Sequence, residues 1–155
     1  MSKRVLITGG NKGIGLAVSR AMLEFGYEVI IVARDFDTCP IVGVKNVTAI
    51  EYDLSDVDGL PELAKTVGNI DILINNAGYM QPKYTYNNYP KDAREHIMNV
   101  DLYTPVELMN IFCEHMKKQK YGRIVNTASI AGQIGHPDVW YGIAKAGLIN
   151  ATKIY

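Results

Sequence analysis

The chain has 155 residues, 48% of them hydrophobic and 21% charged, which excludes a disordered polar chain and fits a packed globule. Sixteen Lys and Arg offset sixteen Asp and Glu, so no net charge points to nucleic acid or an anionic membrane surface as partner. No apolar run approaches the roughly 20 residues of a membrane span, and Met-Ser-Lys-Arg at the start is not followed by a signal-cleavage pattern. Cys39 and Cys113 are distant from each other and lack neighbouring histidines, so they form neither a metal site nor a disulfide framework. The expectation is one soluble domain in a reducing, cytoplasmic setting.

Arg4 to Thr8 (RVLIT) is a short apolar run closed by Gly9-Gly10 and reads as a buried strand. Ile14, Ala17, Val18, Ala21, Met22 and Phe25 then recur at helical spacing, which predicts a helix packed on that face and stopped at Gly26. Tyr27 to Ala33 is the second strand, and together these residues make a β-α-β unit with parallel strands. Asn46 to Tyr52 is a third strand, a short helix follows at about 57–67, and Ile70 to Asn75 is the fourth strand. A long helical stretch is expected from about residue 90 to Lys120, bent or split near Thr104-Pro105, because proline cannot donate inside a helix. Arg123 to Ala128 is the fifth strand, and from about Asp138 to Tyr155 the pattern is helical again. Strands alternating with helices predict a Rossmann-type, doubly wound parallel α/β sheet with five strands.

Only about a dozen residues separate the second strand from the third, too few for a covering helix with its loops. A doubly wound dinucleotide fold normally carries six strands, and a fifth strand left at the edge invites aggregation. The expectation is therefore the front portion of a longer protein.

The segment Thr8-Gly9-Gly10-Asn11-Lys12-Gly13-Ile14-Gly15 joins the first strand to the first helix. Glycines there let backbone approach a pyrophosphate, and a helix N-terminus offers unpaired N–H groups and a positive dipole end. Three further segments follow in order: Asn75-Asn76-Ala77-Gly78 after the fourth strand, Ser129 after the fifth, and Tyr141-Gly142-Ile143-Ala144-Lys145. The four together resemble the T-G-x-x-x-G-x-G, N-N-A-G, serine and Y-x-x-x-K motifs of the short-chain dehydrogenase/reductases. Asn99, in Met98-Asn99-Val100, is read as the counterpart of that family's catalytic asparagine.

Tyr141 and Lys145 are one helical turn apart and share a face, and an ammonium near a phenol favours the phenolate. If Asp138 caps this helix, Tyr141 lies in its first turn. The resemblance implies that Tyr141 exchanges the proton with the reacting oxygen and that Lys145 supports it and binds the nicotinamide ribose. It also implies that Ser129 hydrogen-bonds the reacting oxygen and Asn99 holds a relay water. Gly9, Asn11, Lys12, Gly13, Ile14, Gly15, Arg34, Asp53, Leu54, Asn75, Ala77 and Gly78 are the expected cofactor contacts, with Tyr141 and Lys145. Asp53 is equally placed to cap the next helix.

The second strand ends Val32-Ala33-Arg34-Asp35. Arg34 and Lys12 suit a 2′-phosphate, whereas Asp35 falls about twenty residues after Gly15, where a ribose-binding acid would stand. The expected cofactor is NADP ahead of NAD. The resemblance is to carbonyl reductases and 3-oxoacyl-carrier-protein reductases in particular, which implies a small carbonyl or alcohol substrate and a homodimer or homotetramer. It also implies a sixth strand, a Pro-Gly turn and a substrate-covering loop beyond this chain. The alternative is a truncated nucleotide-binding domain without turnover.

No metal site is expected from His96, His115 and His136, which lack ligand spacing. Trp140 either borders the substrate or anchors the core, and Tyr79, Tyr84, Tyr86 and Tyr89 either shape an entrance or pack their loop. Lys117, Lys118, Lys120 and Arg123 close a long helix, where cations suit the dipole.

Overall fold

Residues Arg4–Thr8 form β1, in which Val5, Leu6 and Ile7 are fully buried, because both faces and both edges of this strand are covered. In the computed structural model, which describes residues 2–80, 84 and 86–155, β1 pairs in parallel with β2 (Glu28–Ala33) on one side and β4 (Ile72–Asn75) on the other. β3 (Val47–Glu51) and β5 (Arg123–Asn126) complete one parallel sheet of order β3-β2-β1-β4-β5. This is the five-stranded Rossmann-type arrangement expected from the sequence. β1 spans its expected residues, and the other four strands are a residue or two shorter than expected.

The alternation of side chains divides the core into two layers. Leu6, Ile30, Val32 and Leu73 pack under α2 (Leu60–Val67), α4 (Thr104–Lys118) and α5 (Val139–Thr152), against Leu63, Leu108, Phe112 and Leu148. Val5, Ile7, Val29, Ile31, Ile72 and Ile74 face the other way, toward α1 (Gly13–Glu24). Each such side chain contributes about 1.5–3 kcal/mol when fully buried.

Three features differ from the sequence reading or sharpen it. First, α1 is turned by one residue from its expected face. Leu16, Val18, Met22 and Leu23 pack on the sheet, whereas Ile14 and Phe25 are 70% and 77% exposed. The small residues Gly15 and Ser19 decide this rotation: both are buried, and Ser19 Oγ lies 2.8 Å from the Gly15 carbonyl oxygen and 3.2 Å from that of Gly10.

Second, no helix follows β2. Phe36, Cys39 and Ile41 of the connecting turns cover the sheet instead, and Thr48, Ala49 and Glu51 of β3 remain exposed. β5 is an edge strand, and its Val125 is 51% exposed.

Third, the long helix is interrupted ahead of Pro105 rather than at it. α3 (Lys91–Met98) passes into a π-helical turn over Asn99–Tyr103 before α4 begins. Pro105 has no N–H for the carbonyl of Asp101, and the Thr104 N–H bonds back to the Asn99 carbonyl, five residues earlier. The wider turn absorbs the lost donor without a break.

Thr8 joins the ends of β1 and β4. Its hydroxyl oxygen accepts the backbone N–H groups of Asn76 and Ala77, each at 3.0 Å, and the Asn76 amide donates back to the carbonyls of Thr8 (3.2 Å) and Gly9 (3.3 Å). Thr8→Val keeps the shape and strands two donors. It is expected to cost about 2–4 kcal/mol, read as a lower urea midpoint, whereas Thr66→Val on the exposed face of α2 stays within about 0.5 kcal/mol.

Candidate active site

A cleft of about 370 Å³ opens at the carboxyl ends of β1, β2 and β4. The chain runs outward from β1 to β2 and β3, then returns to β4 on the opposite side, so crossovers leave in opposite directions and a crevice remains between them.

The glycine loop forms one wall. Gly9 has φ +66°, and a Cβ there would stand 3.1 Å from the Ala77 Cα. A Cβ at Gly15 would lie 2.0 Å from the Gly9 carbonyl oxygen, so only glycine lets the helix start this close to the strand. α1 begins after an extended Lys12 with no side-chain cap, leaving its first N–H groups available to an anion. Asn11, Lys12, Ile14 and Gly15 line the cleft, and the Asn11 amide donates to the Asp35 carbonyl (2.9 Å), tying the loop to the end of β2. Gly13 makes the turn with φ +55° and is not part of the wall.

Ala33, Arg34 and Asp35 form the adjoining rim. β2 ends at Ala33, which is buried, while Arg34 and Asp35 are both exposed at the opening. Leu54 and Asp53 also line the cleft. Asp53 does not cap α2, whose N-cap is Gly59; its carboxylate accepts the Ser55 backbone N–H and hydroxyl, each at 2.9 Å. The Ser55 N–H holds this carboxyl below its usual range. Neighbouring Tyr52 is pushed up to about 12 by burial and then by Asp56.

The Asn75-Asn76-Ala77-Gly78 segment divides its work differently from the sequence reading. Asn75 is 3% exposed and lies below the cleft: its amide donates to the Asn126 side-chain oxygen (2.8 Å) between β4 and β5. Asn76, Ala77 and Gly78 are the residues at the wall. Alternation along β4 explains this, since consecutive asparagines must point to opposite faces.

Tyr141 and Lys145 reach the cleft from α5. Asp138 is the N-cap, its carboxylate accepting the Tyr141 N–H at 3.1 Å, so Tyr141 stands in the first helical turn as expected. The Lys145 ammonium lies 5.6 Å from the centre of the Tyr141 ring and donates to the Thr127 carbonyl at 3.0 Å. His136 packs against Tyr141 with ring centres 5.7 Å apart. The Tyr89 hydroxyl, 3.3 Å from Asp138 Oδ2, ties its loop to the same helix end.

The other two expected catalytic residues do not line the cleft. Ser129 Oγ accepts the Ala131 N–H (3.2 Å) and caps the short 3-10 turn Ile130–Gly132. The Asn99 amide donates to the Ser55 carbonyl (2.9 Å), which directs it to the β3–α2 connection. Two positions along the same π-helical turn, Asp101 is fully buried with its Oδ1 3.0 Å from the Lys145 ammonium. Burial pushes this carboxyl up, and Lys145 together with the Tyr79 N–H (2.8 Å) pulls it part of the way back. Asp101 and Thr127 are contributors that motif reasoning passed over, while Asn76, Tyr79 and His96, which the sequence reading named without making them cofactor or catalytic contacts, also line the cleft. Asp101 carried one signal, an acid two residues from the expected asparagine, but its inward direction depends on the π-helical turn.

The short chain dehydrogenase family model matches residues 3–154. The chain is 34% identical over 166 residues to the uncharacterized oxidoreductase YxjF of Bacillus subtilis (strain 168), covering 99% of this chain and 64% of that protein. It is 32% identical over 160 residues to an acetoacetyl-CoA reductase of Shinella zoogloeoides, covering 99% and 66%. A metagenomic short-chain oxidoreductase in complex with NADP superposes with a TM-score of 0.88 at 26% identity, over 98% of this chain and 73% of that one. A 4-hydroxyisoleucine dehydrogenase complexed with NADH gives 0.89 at 27% identity, over 99% and 67%. The chain thus spans about two thirds of the length of these two curated relatives. A match running almost from end to end, over a fold that carries the glycine loop and the Tyr141–Lys145 pair to one cleft, places this chain in the short-chain dehydrogenase family.

Proposed function

We propose that this chain is the dinucleotide-binding and proton-transferring part of an NADP-dependent oxidoreductase acting on a small carbonyl or secondary alcohol. The observation that carries the reading is the convergence of Tyr141 and Lys145 on the cleft that the glycine loop opens. The cleft suits a dinucleotide on its own chemistry. The Gly9–Gly15–Ala77 approach leaves a cradle free of side chains, the start of α1 is uncapped, and two cations stand at the rim.

When bound, the nicotinamide supplies the hydride chemistry. Tyr141 gives a proton to the carbonyl oxygen in reduction or takes one from the alcohol in oxidation. Lys145 stands beside the phenol and offers a donor to the nicotinamide ribose. Ala77 and Gly78 allow close backbone approach, and the Ile14 side chain supplies an apolar wall. Ser129 and Asn99 stay in the reading as residues that reach the reacting oxygen and a relay water only by turning from their present partners. Positioning and electrostatics are the protein's contribution.

Arg34 and Lys12 support NADP over NAD, because a planar guanidinium matches a phosphate in two parallel hydrogen bonds. The relatives leave both cofactors open, since one neighbouring structure holds NADP and another NADH. We place the protein in a reducing, cytoplasmic setting, consistent with free Cys39 and Cys113. Among the described residues no helix is long and apolar enough to cross a membrane. Exposed Tyr103 and Ile143, beside α4 and on α5, support a homodimer or homotetramer formed through those helices. A second reading, dinucleotide binding without turnover, is favoured by one observation: neither Ser129 nor Asn99 lines the cleft.

Calorimetric titration with NADPH and NADH tests the binding reading, and a carbonyl screen under NADPH separates the two readings. Arg34→Ala is expected to weaken NADPH at least tenfold more than NADH; equal losses would move the assignment to Asp35 and NAD. Tyr141→Phe is expected to lower turnover by about 10²–10⁴ while NADPH affinity stays within about twofold, and comparable activity in that variant would reject the assigned acid.

A further inference from the structure

β3 is the outermost strand on its side of the sheet, and the Tyr52 N–H bonds to the Ala33 carbonyl (2.9 Å) where β2 ends. The connection that follows leaves the sheet, yet Asp53 and Leu54 line the cleft. It is held there from the far side by the central helix. The Thr104 hydroxyl donates to the Leu54 carbonyl in a buried bond of 2.6 Å, and the Asn99 amide donates to the Ser55 carbonyl at 2.9 Å. A helical threonine commonly returns its hydroxyl to a carbonyl of its own preceding turn. This one reaches a segment 50 residues earlier in the chain.

Both bonds depend on the π-helical turn. In a regular α-helix, residues five apart stand about 140° apart around the axis, so Asn99 and Thr104 would diverge. The Thr104 N–H instead bonds the Asn99 carbonyl, which brings the two residues round to one side. Two consecutive carbonyls of the connection are thus gripped by two donors of one helix.

Sheet order fixes which end of a dinucleotide meets this wall. Tyr141 and Lys145 come from α5, and Thr127 beside them follows β5, so the reacting nicotinamide belongs on the β4–β5 side of the glycine loop. The adenosine then belongs on the β2–β3 side, where Ala33, Arg34, Asp53 and Leu54 line the cleft.

We propose that Thr104 and Asn99 are positioning residues of the adenosine side of the cleft: by holding the Leu54 and Ser55 carbonyls, they set Asp53 and Leu54 against the bound nucleoside. Neither residue lines the cleft, so both act through the connection. The inference rests on the dinucleotide-binding function proposed above. For Asn99 it assigns the role that its present partner supports, in place of a turn toward a relay water.

Removing the Thr104 hydroxyl strands the buried Leu54 carbonyl, and the connection must shift to find another donor. The test is the affinity of the 155-residue chain for AMP, which carries the adenosine alone, and for NADH. Both are measured by NMR titration of wild type, Thr104→Val, Thr104→Ser and Asn99→Leu. Valine and leucine keep the shape of the side chain without its donor, whereas serine keeps the hydroxyl and loses only a methyl. Thr104→Val and Asn99→Leu are each expected to weaken AMP and NADH by the same factor, about tenfold, and Thr104→Ser is expected to stay within about twofold of wild type.

Equal losses in Thr104→Val and Thr104→Ser would make packing the cause and overturn the proposal. AMP affinity unmoved in either donorless variant would do the same. Wild type that binds NADH but not AMP would also overturn it and leave the dinucleotide reading intact, whereas wild type that binds neither would overturn both.

Reciprocity supplies a measurement that needs no variant: if the Asn99 bond favours AMP, saturating AMP must favour the bond. Hydrogen exchange of the Asn99 side-chain amide is expected to slow several-fold with AMP bound. An unchanged exchange rate would reject the positioning role even if every variant failed to fold.

Discussion

The hydroxyl of Thr8 is the joint on which the site depends. It sits at the end of a strand with no exposed face and accepts two N–H groups from the segment leaving β4. That bond pair holds the glycine loop and the Asn76-Ala77-Gly78 segment against each other at the point where the sheet order reverses. Every later feature of the cleft is measured from there. The Gly9 backbone meets Ala77, the start of α1 meets Gly9, and the Asn76 amide closes the circuit by returning to the carbonyls of Thr8 and Gly9. A buried polar network of this kind stabilises only when all its members are satisfied.

On the other side of the cleft, charge does the positioning. Lys145 is a buried cation held by one carbonyl and one carboxylate, and Tyr141 stands beside it on the first turn of a capped helix. The two halves differ in physical character. The glycine-loop half is built from backbone, with glycines that remove obstacles and a helix start whose N–H groups are uncapped by side chains. The Tyr141–Lys145 half is built from side chains, with the Lys145 and Asp101 charges paired inside the protein. Solvated cations, Lys12 and Arg34, stand at the outer rim, where a highly charged ligand would first be met.

The π-helical turn shows how one residue reaches across the molecule. Pro105 withholds a donor from Asp101's carbonyl, and the helix widens just ahead of it instead of breaking. Within that turn Asn99 points to the β3–α2 connection and Asp101 points to Lys145. A regular helix would also separate residues two apart by about 200°, so one of them had to face away from the site. Which one did was settled by the packing of α3 and α4 on the sheet. Motif position alone favoured Asn99.

The five strands, their parallel pairing and the absence of a helix after β2 were legible in the sequence. Apolar runs of five or so residues between glycine turns have few other ways to be buried, and a dozen residues cannot hold a helix and its loops. The glycine loop and the Tyr141–Lys145 spacing were legible for the same reason, since their geometry is local: a close turn, and one helical turn between side chains. The rotation of α1 was not, because Gly15 and Ser19 outrank Ile14 and Phe25 only once the Gly9 carbonyl is known to press on the helix. Nor was the division between Asn75 and Asn76, which alternation predicts but which strand register must orient. The amino-acid order determined which elements form and which residues stand at their ends; the tertiary structure decided which faces of those elements meet, because side-chain direction is set by contacts between segments distant in the chain.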